Sequence, residues 1–230
     1  MNVPDSPISV RTALLTAVAP LLLSLAAGVA CYVVLGATTG LFFATVVIVA
    51  LVTPPLVLAY PDRVRQAVVW SSVVDGVAVA LLAAVADPYV TLLDWVRTYL
   101  LLAAFALASW GVARLLVRVR VPPVLASALT VVLALAWLAW PVWLSPWLAG
   151  RETLVAWLVP AHPLLALDGA LRHLGPPWTE HHYMYTRLSV LNQDVPYSLP
   201  RGVGAATALH TAIGLACLLP YRRLVRRREA

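Results

Sequence analysis

Two ionisable side chains, Asp75 and His210, stand inside long apolar stretches of the sequence. Asp75 lies about ten residues beyond Arg65, and His210 lies about nine residues beyond Arg201. At about 1.5 Å per helical residue, both would lie near the middle of a bilayer, where an ionisable group is costly and by default marks a functional site. Each is the candidate partner of the other, since Asp75 could hold His210 through a charge-assisted hydrogen bond; the alternative is that each side chain serves only local helix packing.

The five histidines all lie in the last third of the chain, at positions 162, 173, 181, 182 and 210. Glu180 adjoins His181 and His182, and imidazole together with carboxylate suits zinc or copper. Adjacent histidines do not share a helix face, however, and the sequence has neither an HExxH nor a CxxC motif. We therefore predict no bound metal and regard Glu180, His181, His182 and His162 as polar surface candidates.

Motifs for other chemistry are missing from the sequence. It has no glycine-rich nucleotide-binding loop, no GxSxG, no paired intramembrane aspartates and no CxxCH for covalent haem. We predict that the chain is not an enzyme, has no catalytic residue and carries no cofactor. Any work driven by ATP would then come from a partner.

The composition places these residues in a membrane protein. Of 230 residues, 62% are hydrophobic and only 11% are charged, against about a quarter charged in soluble domains. The mean hydropathy is +0.87. A bilayer crossing needs roughly 20 apolar helical residues. We predict one all-α transmembrane domain over residues 1–230, with six spans at about 12–35, 40–60, 66–86, 95–117, 123–144 and 203–221.

Arginine counting predicts the orientation of these spans. All sixteen basic residues are arginine, and with both termini in the cytoplasm eleven of them lie inside and five outside. Short loops rich in arginine favour the cytoplasmic side. The net charge of +6 therefore indicates anchoring at an anionic membrane face rather than nucleic-acid binding. We predict a bacterial cytoplasmic (inner) membrane with both termini inside.

The long connection between spans 5 and 6, residues 145–202, is here called the outer cap. Its first part holds two apolar stretches of about ten residues, split by Pro160 and Pro163, which predict a re-entrant or interfacial helical hairpin. Asp168 and Arg172 are four residues apart and are expected to pair on its wet side. Residues 175–202 are polar and rich in tyrosine, so they are expected to pack on the helix ends.

This layout resembles the six-span permease subunit of ATP-binding-cassette exporters of the second type. The segment "HPLLALDGALR" (162–172) stands where that family has a similar segment before its last span, with His162 at a position where Asn is common. The resemblance implies a separate cytoplasmic ATPase, with the loop "YPDRVRQ" (60–66) as the coupling segment. The docking surface would be formed by Arg63, Arg65, Arg114, Arg118 and Arg120.

Three functions stay open from the sequence. The first is the membrane subunit of a transporter, an exporter permease that forms a homodimer or joins other membrane subunits and an ATPase. The second is a non-catalytic accessory or assembly subunit of a larger membrane complex. The third is an intramembrane enzyme that uses Asp75 and His210.

Overall fold

The computed structural model describes residues 10–35, 39–84, 90–172 and 197–219, and its secondary structure within these ranges is helical. The all-α prediction is therefore confirmed. In chain order the helices are α1 (Val10–Leu35), α2 (Thr39–Ala59), α3 (Arg63–Ala84), α4 (Leu92–Arg118), α5 (Pro123–Leu138), α6 (Trp140–Trp143), α7 (Ser145–Leu148), α8 (Glu152–Ala161), α9 (Pro163–Leu171) and α10 (Gly204–Leu218).

The number of helices long enough to span a bilayer is slightly below the predicted six. Among the described residues, α1, α2, α3 and α4 are long and apolar enough, and the α8–α9 pair, bent by 77°, would make a fifth if it is one broken span. Helices α5 and α10 have 16 and 15 residues, so at about 1.5 Å per residue they fall short of a core of about 30 Å. The long apolar helices α1 to α4 are those of a membrane-embedded protein.

Prolines account for the two short helices. Pro141 follows the end of α5 and cannot donate the backbone hydrogen bond that would continue it, so the chain restarts as α6. Leu219 precedes Pro220 and has the extended backbone, with φ −59° and ψ 140°, that a following proline favours. The predicted spans 5 and 6 continue past Pro141 and Pro220 because the residues that follow α5 and α10 are still apolar.

Small residues let the long helices approach closely. A Cβ added at Gly76 of α3 would lie 2.8 Å from the carbonyl oxygen of Leu21 and 2.8 Å from Cβ of Ser24, both in α1. Gly111 of α4 and Gly214 of α10 make a similar contact. Close backbone approach at small residues is typical of helix packing in membranes, where dispersion contacts rather than water exclusion hold helices together.

The two ends of the helix bundle differ in chemistry. One end, here called the arginine end, carries Arg63 at the start of α3 together with Arg114 and Arg118 in the last turns of α4. The other, here called the hairpin end, carries α8 and α9, which pack against α10 and, through α9, against α2 and α4. Three of the arginines predicted to share one side of the membrane therefore lie together, and which side that is stays a prediction.

Candidate functional site

His210 lies in a cleft of about 320 Å³ between α4, α5 and α10. Helices α5 and α10 each pack on α4 but make little contact with one another, and this separation creates the cleft. Leu133 of α5 and Leu209 of α10 line it and are 56% and 38% exposed, so the cleft opens on the side of the bundle. The lining residues are Phe105, Ala108, Ser109, Val112, Thr130, Leu133, Ala134, Trp137, Leu209, His210 and Ile213.

The polar groups of the cleft wall are directed to helix backbone. The hydroxyl of Ser109 donates to the carbonyl of Phe105 at 3.0 Å, and that of Thr130 donates to the carbonyl of Ala126 at 2.7 Å. Hydroxyls bonded in this way satisfy the donor that an apolar environment would otherwise penalise. The surface that a ligand would meet is therefore almost wholly apolar.

Both ring nitrogens of His210 are engaged. The indole N–H of Trp137 donates to Nε2 at 3.1 Å, and because an indole can only donate, Nε2 must accept. Nδ1 then carries the proton and donates to the carbonyl of Ala206 at 2.6 Å. The ring of Phe105 packs edge-on at 5.2 Å between centroids. His210 thus orients Trp137 against the cleft.

His162 is fully buried and joins the hairpin to α5. Its Nδ1 accepts from the backbone N–H of Leu165 at 3.2 Å, which caps the start of α9. The proton on Nε2 is then available for the carbonyl of Leu138 at 3.1 Å, at the end of α5. The ring also packs edge-on against Trp140, 5.6 Å between centroids. The surface role expected for His162 is wrong, because capping a helix and closing the hairpin both require burial.

The candidate pair of Asp75 and His210 is not formed. Asp75 is exposed on the face of α3 that meets α4, where its Oδ1 accepts from the phenol of Tyr99 at 3.2 Å. His210 is only 3% exposed and has its two nitrogens bonded elsewhere. Equal depth along two helices does not bring side chains together unless the helices also turn the right faces to each other. The pair named in the hypothesis of an intramembrane enzyme is therefore not assembled.

The Asp168–Arg172 pair predicted for the wet side of the hairpin is also wrong. Asp168 is 4% exposed, Arg172 is exposed, and the two do not come within ion-pair distance in the part of the chain that the structure describes. The Oδ1 atom of Asp168 is buried without a hydrogen-bond partner. Helix α9 turns this face toward the bundle because its other residues there are leucine and alanine, which the core accepts.

The loop expected to couple to an ATPase is short and is held by hydrogen bonds and an ion pair. Residues 60–62 alone separate α2 from α3, and Gln66 lies within α3. The side-chain amide N–H of Gln66 donates to the carbonyl of Tyr60 at 2.6 Å, and the side-chain oxygen of Gln66 accepts from the indole N–H of Trp110 at 3.3 Å. Asp62 forms an ion pair with Arg65 at 3.9 Å. Arg120 has a left-handed backbone, with φ 71°, in the turn between α4 and α5.

Part of the predicted outer cap lies outside the described residues, namely Glu180, His181 and His182. Within the described ranges, groups of three or more His, Cys, Asp or Glu side chains that could hold a metal ion are not found. Of the tryptophans in the hairpin region, Trp147 and Trp157 are 70% and 76% exposed, as residues of a membrane interface would be, whereas Trp140 is buried. The first part of the cap therefore presents an aromatic surface.

Sequence reasoning missed Trp137 as the partner of His210. The side chain of Trp137 packs between His162 and His210, 6.1 and 6.2 Å from their ring centroids. The two partners are separated by 73 residues, so local spacing carries no signal for the contact. No family model, curated protein or solved structure is significantly similar to the chain.

Proposed function

We propose that the chain is the membrane-spanning subunit of a transporter that handles a hydrophobic molecule reached from the bilayer. The cleft between α4, α5 and α10 carries this proposal. Its volume of about 320 Å³ lies at the small end of the range for ligand pockets, about 300–1,000 Å³. Its apolar walls favour an acyl chain or a ring system over an ion or a nucleotide.

The proposed orientation and energy source rest on the arginine pattern and the family resemblance. With the arginine end in the cytoplasm of a bacterial inner membrane, both termini would lie inside. A chain without a nucleotide-binding motif needs a separate ATPase to drive export. The arginines at that end would meet the ATPase directly, because residues 60–62 leave little loop to protrude.

A second candidate function is a non-catalytic subunit of a larger membrane complex, and Asp75 favours it. A carboxylate exposed near the middle of a membrane-spanning helix is costly against lipid, and such groups usually face protein or a water-filled cavity. The phenol of Tyr99, a residue that is 39% exposed, donates to only one of the two carboxylate oxygens of Asp75. A partner helix that covers this face would remove the cost. The same surface would serve a dimeric transporter.

The transporter proposal is tested by labelling the cleft in lipid nanodiscs with a diazirine-bearing fatty acid and mapping the modified peptides. The variant A134F fills the cleft from α5, and A128F, on an exposed position of the same helix, is the matched control. We expect labelling of α4, α5 and α10 to fall about tenfold in A134F, equivalent to about 1.4 kcal/mol, and to persist in A128F.

Two results would contradict the proposal in different ways. Undiminished labelling in A134F would show that the cleft does not take the probe, and the transport function would lose its support. Purification in a gentle detergent without any ATPase would remove the exporter part. Recovery of other membrane proteins, lost on the substitution D75L, would then favour the subunit of a larger complex.

A further inference from the structure

A second cavity, of about 140 Å³, lies at the arginine end of the bundle. It sits where α3 begins and where α4 and α10 end. Its lining combines three guanidinium groups with two apolar side chains, namely Arg63, Arg114, Arg118, Trp110 and Leu218. Cationic groups beside apolar ones form the kind of surface that an amphiphile with a negative headgroup requires.

The positive charge of this cavity is not balanced by the chain residues that the structure describes. Arg114 is close enough to Arg63 and Arg118 to be repelled by both. The nearest acidic group along the chain, Asp62, is committed to Arg65 and to the backbone N–H of Val64. Within the described ranges, ion pairs to Arg63, Arg114 or Arg118 are not formed. Three like charges around a small cavity favour an anion.

Arg118 is partly occupied, which divides the roles of the three arginines. Its Nη1 donates to the carbonyls of Cys217 and Leu219 at 2.6 and 3.1 Å, and its Nη2 donates to the carbonyl of Leu218 at 2.9 Å. A guanidinium has five N–H donors, so two remain. Arg118 therefore closes the end of α10 and builds the cavity wall, while Arg63 and Arg114 keep their donors for a ligand.

The position of Trp110 supports a ligand at membrane depth. Its indole is held by Gln66, and its ring lies beside that of Trp70, 6.3 Å between centroids. Arg114 lies one helical turn inside the end of α4, about 6 Å deeper than Arg118. Arginine at a membrane boundary extends toward the headgroups, and its planar fork matches phosphate oxygens in pairs.

We propose that Arg63, Arg114 and Arg118 bind the phosphate of an anionic phospholipid headgroup, with Trp110 and Leu218 against the upper part of its chains. Free phosphate would use the same donors without needing the apolar side chains. The proposal does not depend on the cleft around His210, since the two cavities are lined by different residues. With a lipid bound here, Arg65 and Arg120 are the arginines of this end, among the described residues, that would remain for the contact with an ATPase.

The test is native mass spectrometry of the full chain released from nanodiscs that contain phosphatidylglycerol and phosphatidylcholine in equal amounts. We expect retained phosphatidylglycerol in the wild-type protein. Each lost arginine should weaken its retention about fivefold, so R63Q/R114Q should weaken it about 25-fold. R120Q is the matched control, because Arg120 follows α4 at the same end, is exposed and does not line the cavity. R114K keeps the charge without the fork and should lie between wild type and R114Q.

Separate outcomes distinguish the two sources of phosphate and a loss of folding. If the ligand is a lipid, a titration with inorganic phosphate in detergent should leave the unfolding temperature of the wild-type protein unchanged. If phosphate instead stabilises the wild-type protein and R63Q/R114Q abolishes this stabilisation, the site binds free phosphate and the proposal of a lipid ligand is overturned. Equal retention of phosphatidylglycerol in R63Q/R114Q and R120Q would overturn the site itself. The unfolding temperature of R63Q/R114Q in phosphatidylcholine alone checks that the variant folds, and R114K gives the same comparison with the charge kept.

Discussion

The contact between α4 and α10 depends on two glycines, and replacing either with alanine should push the helices apart. A Cβ added at Gly111 would lie 2.7 Å from the carbonyl oxygen of Gly214 and 3.0 Å from Cβ of Cys217. A Cβ added at Gly214 would lie 2.7 Å from Cγ of Leu107 and 2.8 Å from its carbonyl oxygen. Ordinary van der Waals contact begins at 3.4 Å, so a shift of several tenths of an ångström is required.

The expected loss of stability combines two opposing effects. Overpacking of a tight contact costs about 1–3 kcal/mol, and the better helix propensity of alanine returns up to about 1 kcal/mol. For G111A and for G214A we therefore expect a net loss of about 1–2 kcal/mol. In a chain of this size each kcal/mol lowers the unfolding temperature by about 2–4 °C. The double variant should lose less than the sum, because one displacement of α10 relieves both clashes.

The matched control is G204A, whose added Cβ would meet nothing within 4 Å at the start of α10. Thermal unfolding in detergent, followed by helical circular dichroism, gives the stability of each variant. A second readout is the rate at which a maleimide labels Cys217 in a C31A background. Because Cβ of Cys217 lies against Gly111, separation of the helices should accelerate the labelling in G111A and leave it unchanged in G204A.

Two results would refute this account of the helix contact. If G111A unfolded at or above the temperature of G204A, the close approach would not limit packing. If the labelling rate of Cys217 stayed at its wild-type value while stability fell, the loss would come from elsewhere than the separation of α4 and α10.

The hairpin end offers two further tests, both read from thermal unfolding in detergent. H162A should lose the hydrogen bond that caps α9 at Leu165, worth about 1 kcal/mol, and the hydrogen bond to Leu138 as well. H162N should keep the cap and therefore lose less stability. Equal losses of stability in the two variants would show that capping is unimportant. D168N removes a buried charge, and burying a charge costs more than burying the neutral amide that replaces it, so the unfolding temperature should rise by a few degrees. A fall below wild type would indicate that Asp168 needs its charge.

Several features of the site follow from sequence patterns that act along the chain. The break between Pro160 and Pro163 predicts the hairpin, and α8 and α9 meet there at 77°. The alternating direction of successive spans places Arg63, Arg114 and Arg118 at one end of the bundle, and the structure has them together there. These predictions succeed because helix length and the spacing of charges depend only on the rise per residue.

Other features depend on how each helix is rotated about its own axis. Counting gave Asp75 and His210 similar depths, yet one faces the surface and the other the cleft wall. In a helix that is apolar all round, the sequence carries little signal for which face is buried.

The sequence alone therefore determined that the protein is an all-helical membrane protein with charged residues at predictable depths, because hydrophobic length and rise per residue are properties of a single helix. Only the tertiary structure decided which side chains meet: Trp137 with His210, His162 with the end of α5, and Gly111 with Gly214. Those contacts arise from close packing between helices far apart in the chain, and packing selects the rotation of each helix and the cleft that remains between them.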